Sequence, residues 1–456
     1  MKKYTFFLLL ILLTGCASSR KAHVSATPDG KQYVVILSMD AFRWDLAGRS
    51  HTPTLDSLAR AGTYAEIYPV YPSNTFPSHY AMATGLHPDH HGVVNNNFYD
   101  RKIGRKLSVF DAEDVRLPGF WSGEPIWNTA ERQGLTANIF MWPGSEVPID
   151  GHQATVWTPY SSKPTYYQRA DWVIEAMTRP EAEIPELVMW YFEEPDATMH
   201  TYGPDSPQAV AQAEHIDSVL RYFFREIRRS PVFERINFIV TADHGMAALS
   251  PERYINLMPL LDTTQVIRTV PGTPFGLEVK EEYADTAIRI LRRTGHMKAW
   301  RREQMPRRFH YGTHPTRLTN IIVIPETGWT LDYAAETRPV RKRGTHGFDN
   351  RDRDMHMVFY ASGPAFRKGY RQGSFQNQNM YLILCRLLGI EPAPNDGEWK
   401  DVKRMFRNKK KYFRIFVCAI PNSKAYEKLT REFYLFHKNS SAVHALKAPA
   451  NTYKKR

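Results

Sequence analysis

Three aspartates, three histidines and one threonine, spread from position 40 to position 346, carry the chemistry legible in this chain. Asp40 closes VVILSMD, Thr75 stands in SNTFPSHY, Asp196 and His200 lie in EEPDATMH, Asp243 and His244 in ADHGM, and His346 in GTHGFDN. These carboxylates, imidazoles and one hydroxyl are enough to hold two Zn²⁺ ions with room for a phosphate. An all-oxygen set would favour Mg²⁺ or Ca²⁺, whereas imidazole nitrogen beside carboxylate oxygen selects Zn²⁺, with Mn²⁺, Fe²⁺ or Co²⁺ as substitutes. The residue types therefore predict a metal-assisted hydrolase.

Taken singly, each segment is ambiguous. Asp196 and His200 share one face if their segment is helical, although Pro195 and Tyr202-Gly203-Pro204 argue for a turn or a short first turn. Asp243 and His244 are adjacent, so an extended strand would point them apart; a sharp bend, which Gly245 permits, lets both approach one ion. His346 sits between Gly344 and Gly347, where backbone can come close to a metal. Thr75 precedes Phe76-Pro77 and SHYAMATG, a short helical stretch closed by Gly85, which places its hydroxyl at a helix N-terminus. It is either a plain N-cap, worth ~1 kcal/mol, or a nucleophile whose pKa the metal lowers and whose phosphoryl charge the helix end stabilises.

What makes the set persuasive is where the segments fall. YVVILSMD, ELVMWYFEEPD and INFIVTADH are apolar, β-branched runs that each end in ligand residues, and NIIVIPE and MHMVFYASG are further strand-like runs. In an open, mostly parallel sheet the carboxyl ends of the strands face one crevice, so Asp40, Asp196 and Asp243 would converge there. Helical spacing is evident in PTLDSLARAG, SPQAVAQAEHIDSVLRYFFREIRRS and MYLILCRLLG. About 375 residues separate a polar leader from a basic tail. Because the ligands span that whole stretch, one large α/β domain over residues 31–397 is expected, with a smaller lobe inserted at about 247–343. The many Arg residues of that lobe read as solvated surface rather than as leaving-group contacts.

The amino terminus suggests a location. Lys2 and Lys3 precede an apolar run, Phe6 to Leu13, and then Thr14-Gly15-Cys16, the layout of a secretory signal too short to span a bilayer as a stable anchor. LTGC resembles the lipobox of bacterial lipoproteins, which predicts a signal peptide over 1–15, a lipidated Cys16, a tether over 16–30, and anchoring in the bacterial envelope, at the outer membrane facing the periplasm. The alternative is an ordinary cleaved signal with an incidental Cys. Cys385 and Cys418 could pair, but Cys385 lies in an apolar helical stretch and reads more simply as a buried small residue. The net charge of +13 belongs to the tail, which holds fifteen Lys and Arg against three Asp and Glu after position 400. A membrane-surface patch is one reading of the 398–456 extension and a solvated extension the other; no specific nucleic-acid partner is expected.

SNTFPSHYAMATGLHPDHHGVVNNNFYD, FMWPGSEV, EEPDATMHTYGP, ADHGM and GTHGFDN together resemble the signature segments of the nucleotide pyrophosphatase/phosphodiesterase family of the alkaline phosphatase superfamily. The resemblance runs from about residue 31 through LLGIEPAPNDG and stops before the tail. It implies an alkaline-phosphatase-like sheet flanked by helices, and two Zn²⁺: one held by Asp196, His200 and His346, the other by Asp40, Asp243 and His244. It further implies that Thr75 bridges toward the metals and attacks phosphorus, giving a phospho-threonine that water then hydrolyses. Asn96 matches the residue that hydrogen-bonds a phosphoryl oxygen, and Phe76 and Tyr160 fall where a nucleobase is sandwiched, Tyr160 only by its distance after FMWPGSEV.

Two related families are distinguishable by residue type. No C/S-x-P-x-R segment replaces SNTFP, as a sulfatase requires, and Thr75 with Asn96 stands where alkaline phosphatases use Ser and an Arg clamp for the doubly charged monoester. The expected substrate is a nucleotide diester or pyrophosphate, giving a nucleoside monophosphate. The alternatives are a lipid-headgroup phosphodiesterase acting on glycerophosphodiesters or phospholipids, and an inactive lipid-anchored binding protein, against which every ligand position is filled.

Overall fold

The structure, a computed structural model, describes residues 30–336 and 339–407. The expected signal peptide, Cys16, nearly all of the tether, Cys418 and the extension beyond Arg407 lie outside the described residues. Among the described residues no helix is long and apolar enough to cross a membrane.

Eight strands form the central sheet: β1 (Tyr33–Met39), β2 (Thr63–Ile67), β3 (Ala137–Phe140), β4 (Val156–Thr158), β5 (Leu187–Phe192), β6 (Ile236–Thr241), β11 (Met357–Ser362) and β12 (Tyr370–Arg371). A separate four-stranded antiparallel sheet contains β7 (Val266–Val270), β8 (Phe275–Val279), β9 (Met297–Arg301) and β10 (Ile321–Pro325). The order across the central sheet is β12-β2-β11-β6-β1-β5-β3-β4, and only β11 runs against the rest. The expectation of an α/β, mostly parallel sheet therefore holds. MHMVFYASG supplies the one reversed strand, and NIIVIPE goes instead to the smaller sheet.

β1, β5 and β6 are buried at every position, because strands deep in a parallel sheet meet helices on both faces. The helices include α1 (Pro53–Ala61), α2 (Thr75–Thr84), α3 (Ile126–Arg132), α4 (Tyr166–Met177), α5 (Asp196–Tyr202), α6 (Pro207–Glu226) and α8 (Met380–Leu388). α7 (Ala284–Thr294) packs Ala287, Ile288 and Leu291 on the smaller sheet, whose core is a cluster of its own with Leu277, Ala299 and Val323. Cys385 is a free thiol buried in α8, raised by burial to about 12.

Packing continues past residue 397. Val402 and Met405 are fully buried, Phe406 stacks on Phe366, and Arg407 donates its N–H to the Ala365 carbonyl. The boundary is expected at 397, where the resemblance ends with LLGIEPAPNDG, but the apolar residues just beyond it join the core while Lys400, Lys403 and Arg404 stay exposed.

Candidate active site

Register brings the carboxyl ends of three strands level. Met39 of β1 pairs with Phe192 of β5, and Ser38 with Thr241 of β6, so the residues that follow leave the sheet together. Asp40 continues the ladder by one bond, its N–H donating to the Phe192 carbonyl at 2.8 Å. Two residues past β6 comes Asp243; four past β5 comes Asp196, the first residue of α5. α5 is helical enough to put His200 one turn on, with His200 Nε2 3.4 Å from Asp196 Oδ2.

Gly245 is needed for a different reason from the one its neighbours suggested. Its φ is not left-handed; instead a Cβ there would lie 2.1 Å from the Asp354 carbonyl oxygen and 2.7 Å from that of His356. Close approach of the 354–356 backbone excludes a side chain and fixes the Asp243-His244 turn. Gly347 combines both demands, with φ +93° and a Cβ site 2.2 Å from the Thr273 carbonyl oxygen.

The ligand residues gather in two groups, Asp196 with His200 and His346, and Asp40 with Asp243 and His244. His244 Nε2 lies 3.4 Å from Asp40 Oδ1 and 3.2 Å from Asp243 Oδ2; His346 Nε2 lies 3.6 Å from Asp196 Oδ1. Donor atoms bound tetrahedrally at zinc bond lengths stand roughly 3.3 Å apart, so the spacing suits an ion within each group. The two groups adjoin: the His244 and His346 rings stack with centroids 3.8 Å apart.

Two further observations test the fit. Asp40 Oδ1, Asp196 Oδ1 and Asp243 Oδ2 are buried with no hydrogen-bond partner, one orphaned oxygen on each carboxylate. Every imidazole has its Nδ1 against an acceptor: His200 on the Gly344 carbonyl at 2.7 Å, His244 on that of Gly245 at 2.9 Å, His346 on that of Ser73 at 3.1 Å. A carbonyl only accepts, so each Nδ1 carries the proton and each Nε2 presents a lone pair inward, the arrangement of a metal-ligating histidine. Burial raises the pKa of all three Asp carboxyls, and Asp243 and Asp196 push Asp40 further up. Burial drives His244 down to about 4 and His346 well below the usual imidazole value. Buried carboxylates clustered with neutral imidazoles call for cations, and the donor set fits divalent metal in both groups.

Thr75 is the first residue of α2, with Asn74, rather than Thr75 itself, at the N-cap position. Its Oγ1 stands 3.3 Å from Nε2 of His244, a member of the second group. The helix end has few N–H groups left for an anion: that of Phe76 goes to Asn96 Oδ1 at 2.9 Å, Pro77 has none, and that of Ser78 goes to the Asn74 carbonyl. Because Asn96 accepts with its oxygen, its NH₂ is the end left to donate. Phe76 is half-buried with its ring 5.9 Å from Trp121. Tyr160, half-exposed, lies beyond β4 with its ring 6.3 Å from that of Tyr191.

Three supporting residues escaped the sequence reading. Tyr191, inside β5, donates its hydroxyl to Asp40 Oδ2. His79, fully buried, has Nδ1 2.9 Å from the Thr75 carbonyl oxygen and 3.3 Å from Asp243 Oδ2, with Nε2 2.9 Å from Ser38 Oγ. Its position four residues after Thr75, on the same helix face, was an available signal. Asn74, next to the nucleophile candidate, joins several segments through one side-chain amide.

A mostly parallel α/β sheet with two acid–imidazole groups at the carboxyl ends of its strands, and a threonine hydroxyl beside them, defines the class. Residues 34–349 match the family described as type I phosphodiesterase / nucleotide pyrophosphatase, and the chain belongs to it. A venom phosphodiesterase of Crotalus durissus collilineatus is 31% identical over 412 residues, 86% of this chain and 48% of that protein. An uncharacterised pyrophosphatase/phosphodiesterase of Schizosaccharomyces pombe is 31% identical over 82% of this chain and 81% of its own length. The chain spans about half the length of the first of these relatives. Among solved structures, murine ectonucleotide pyrophosphatase/phosphodiesterase 5, as an inactive threonine-to-alanine variant in complex with AMP, superposes with a TM-score of 0.77 at 29% identity, covering 83% of this chain and 100% of that one.

Proposed function

We propose that this protein is a two-zinc phosphodiesterase that splits nucleotide diesters or pyrophosphates and releases a nucleoside monophosphate. The observation that carries the reading is the placement of the Thr75 hydroxyl at the head of α2, 3.3 Å from a histidine of a ligand cluster whose carboxylates each retain an unpartnered oxygen. The AMP bound by the murine relative supports a nucleotide substrate. Asp196, His200 and His346 would hold one ion and Asp40, Asp243 and His244 the other. When bound, the pair supplies Lewis acidity at the phosphoryl oxygens and lowers the pKa of a hydroxyl or water.

Thr75 gives its proton to water and its oxygen attacks phosphorus; the bond to the leaving group breaks, that group departing with the electron pair and taking a proton from water, and a phospho-threonine that still carries the nucleoside forms. Water then cleaves that ester, regenerating Thr75 and freeing the monophosphate. Asn96 donates an N–H of its amide to a phosphoryl oxygen. A neutral donor suits a diester, whose second substituent leaves less charge to neutralise than a monoester carries. Phe76 offers a flat face for the base, and Tyr160 would supply a second aromatic ring. In the cell, acylated Cys16 would hold the domain at the bacterial envelope.

A substrate panel tests this reading, comparing nucleotide phenyl esters, dinucleotides, choline esters and phosphate monoesters. Nucleotide diesters should show the highest kcat/KM. Phe76→Ala should narrow the gap between nucleotide and alkyl diesters by roughly 10- to 100-fold, the rate equivalent of base stacking. A choline or glycerol ester that outruns every nucleotide transfers the assignment to lipid headgroups.

A further inference from the structure

We infer that Asn74 is a positioning residue that ties three separate segments to the start of α2: the His346 loop, the Asn95-Asn96 turn, and the turn between β7 and β8 of the smaller sheet. Although Asn74 occupies the N-cap position, its side chain makes no capping bond. Its Oδ1 accepts from His346 Nδ1 at 2.8 Å, while its Nδ2 donates to Asn95 Oδ1 at 2.8 Å and to the Thr273 carbonyl at 3.0 Å. Asn95 Oδ1 also accepts the Asn96 N–H at 2.8 Å, so the residue that presents the phosphoryl donor is held at one remove.

The chemistry of the partners fixes which way the amide faces. The Thr273 carbonyl can only accept, and Asn95 Oδ1 already accepts from Asn96, so the NH₂ end must face them. Turning the amide over would set oxygen against both and a donor against the protonated Nδ1 of His346. No other small side chain meets these demands: Asp has acceptors at both ends, and Ser lacks the reach and the second donor. The space is also closed, because a Cβ on Gly347 would lie 2.7 Å from Asn74 Oδ1 and 2.2 Å from the Thr273 oxygen. Asn74 is itself 5% exposed. The smaller sheet thus reaches the head of α2 through the Thr273 carbonyl, in its turn at Gly272-Thr273.

The kinetic arm of the test rests on the proposed phosphodiesterase activity; the other arms do not. Asn74→Asp keeps an acceptor for His346 and removes the donor, whereas Asn74→Ala removes both. In Asn74→Asp, transfer of zinc to a chromogenic chelator should stay within about threefold of wild type, amide exchange at Gly272 and Thr273 should quicken about tenfold, and KM should rise about tenfold with a smaller change in kcat. Asn74→Ala should show the same loosening together with zinc loss faster by roughly 10- to 100-fold. Asp and Ser serve an N-cap about as well as Asn. Wild-type zinc retention, exchange and KM in both Asn74→Asp and Asn74→Ser would therefore reduce Asn74 to a cap and overturn the inference, as would an Asp variant that sheds zinc as fast as the Ala variant. If Asn74→Ala does not fold, the Asp and Ser variants decide. If wild type hydrolyses no diester, the activity reading fails, while zinc retention and exchange still judge Asn74.

Discussion

Asp40, Asp243 and His244 stand just past strand ends and are sealed from solvent, with side-chain exposures of 4%, 0% and 0%, whereas Asp196, His200 and His346 come from a short helix and a loop and reach 19%, 18% and 9%. The first group inherits its geometry from sheet register, and Asp243 is further held by the Ala41 N–H on its Oδ1 at 3.1 Å. The second depends on single bonds between helix and loop, such as His200 to the Gly344 carbonyl, that lie outside the sheet's own ladder. The same ligand chemistry is thus built once as part of the core and once as part of the rim. The inner group is expected to retain metal, and the outer to exchange it.

The largest effect should come from Thr75, whose hydroxyl lies beside His244 of the inner group. Thr75→Ala should cost on the order of 10³-fold or more in kcat while elemental analysis still finds two zincs, since all six ligands remain. Near-normal turnover would remove Thr75 as the nucleophile, and loss of either metal would break the view that the two groups are independent of it.

Next come the ligands themselves, compared by stability in the metal-free protein. Asp243→Ala leaves the buried Ala41 N–H unsatisfied and should lower unfolding stability by about 1–3 kcal/mol. His200→Ala, at the rim, should cost less than about 1 kcal/mol. Denaturant titration of both variants checks this ordering, and equal losses would erase the distinction between core and rim.

A chelator should empty the wild-type protein in two phases, the rim first, with rates about tenfold apart. Activity should vanish with the first phase and return on adding Zn²⁺. A single phase would mean that the stacked His244 and His346 rings bind the groups into one cooperative unit.

The smallest effect concerns pH. Burial holds protons on the three Asp carboxyls above their ordinary range, while His244, at about 4, is already neutral near pH 6. A divalent metal entering the site should therefore displace protons from carboxyls rather than from this imidazole, and its affinity should rise with pH through the range just above ordinary carboxylate values. Calorimetry across that range in buffers of different ionisation heat should register proton release; its absence would contradict the raised carboxyl pKa values.

How much of this was readable beforehand follows from the same contrast. Apolar runs ending in Asp40, Asp196 and Asp243 announced a parallel sheet and its active edge, because burial on both faces writes a long-range arrangement into local composition. The fate of NIIVIPE was not readable, since a run of that kind fits either sheet and only pairing decides. The helix over SHYAMATG was legible from Pro77 and Gly85, yet its first residue was not, so the capping position shifted from Thr75 to Asn74. Gly245 was noticed for the wrong property: the approach of the 354–356 backbone, a hundred residues later in the chain, leaves no local trace. His79, Tyr191 and Asn74 act by touching residues remote in sequence, and a buried histidine or tyrosine looks the same in a sequence whether it supports a ligand or fills a core.

β1, the first strand of the sheet, lies between β5 and β6, and the last of the metal-binding candidates is His346. A growing chain therefore makes its first strand well before either neighbour exists, and cannot complete the outer ligand group until the chain has grown from Met39 to His346. Such long-range closure slows folding and leaves apolar strands waiting for partners. It would also act as a safeguard: a copy halted anywhere before residue 346 lacks part of the outer group, so under the proposed activity hydrolysis would begin only after synthesis has passed the whole of that edge of the sheet.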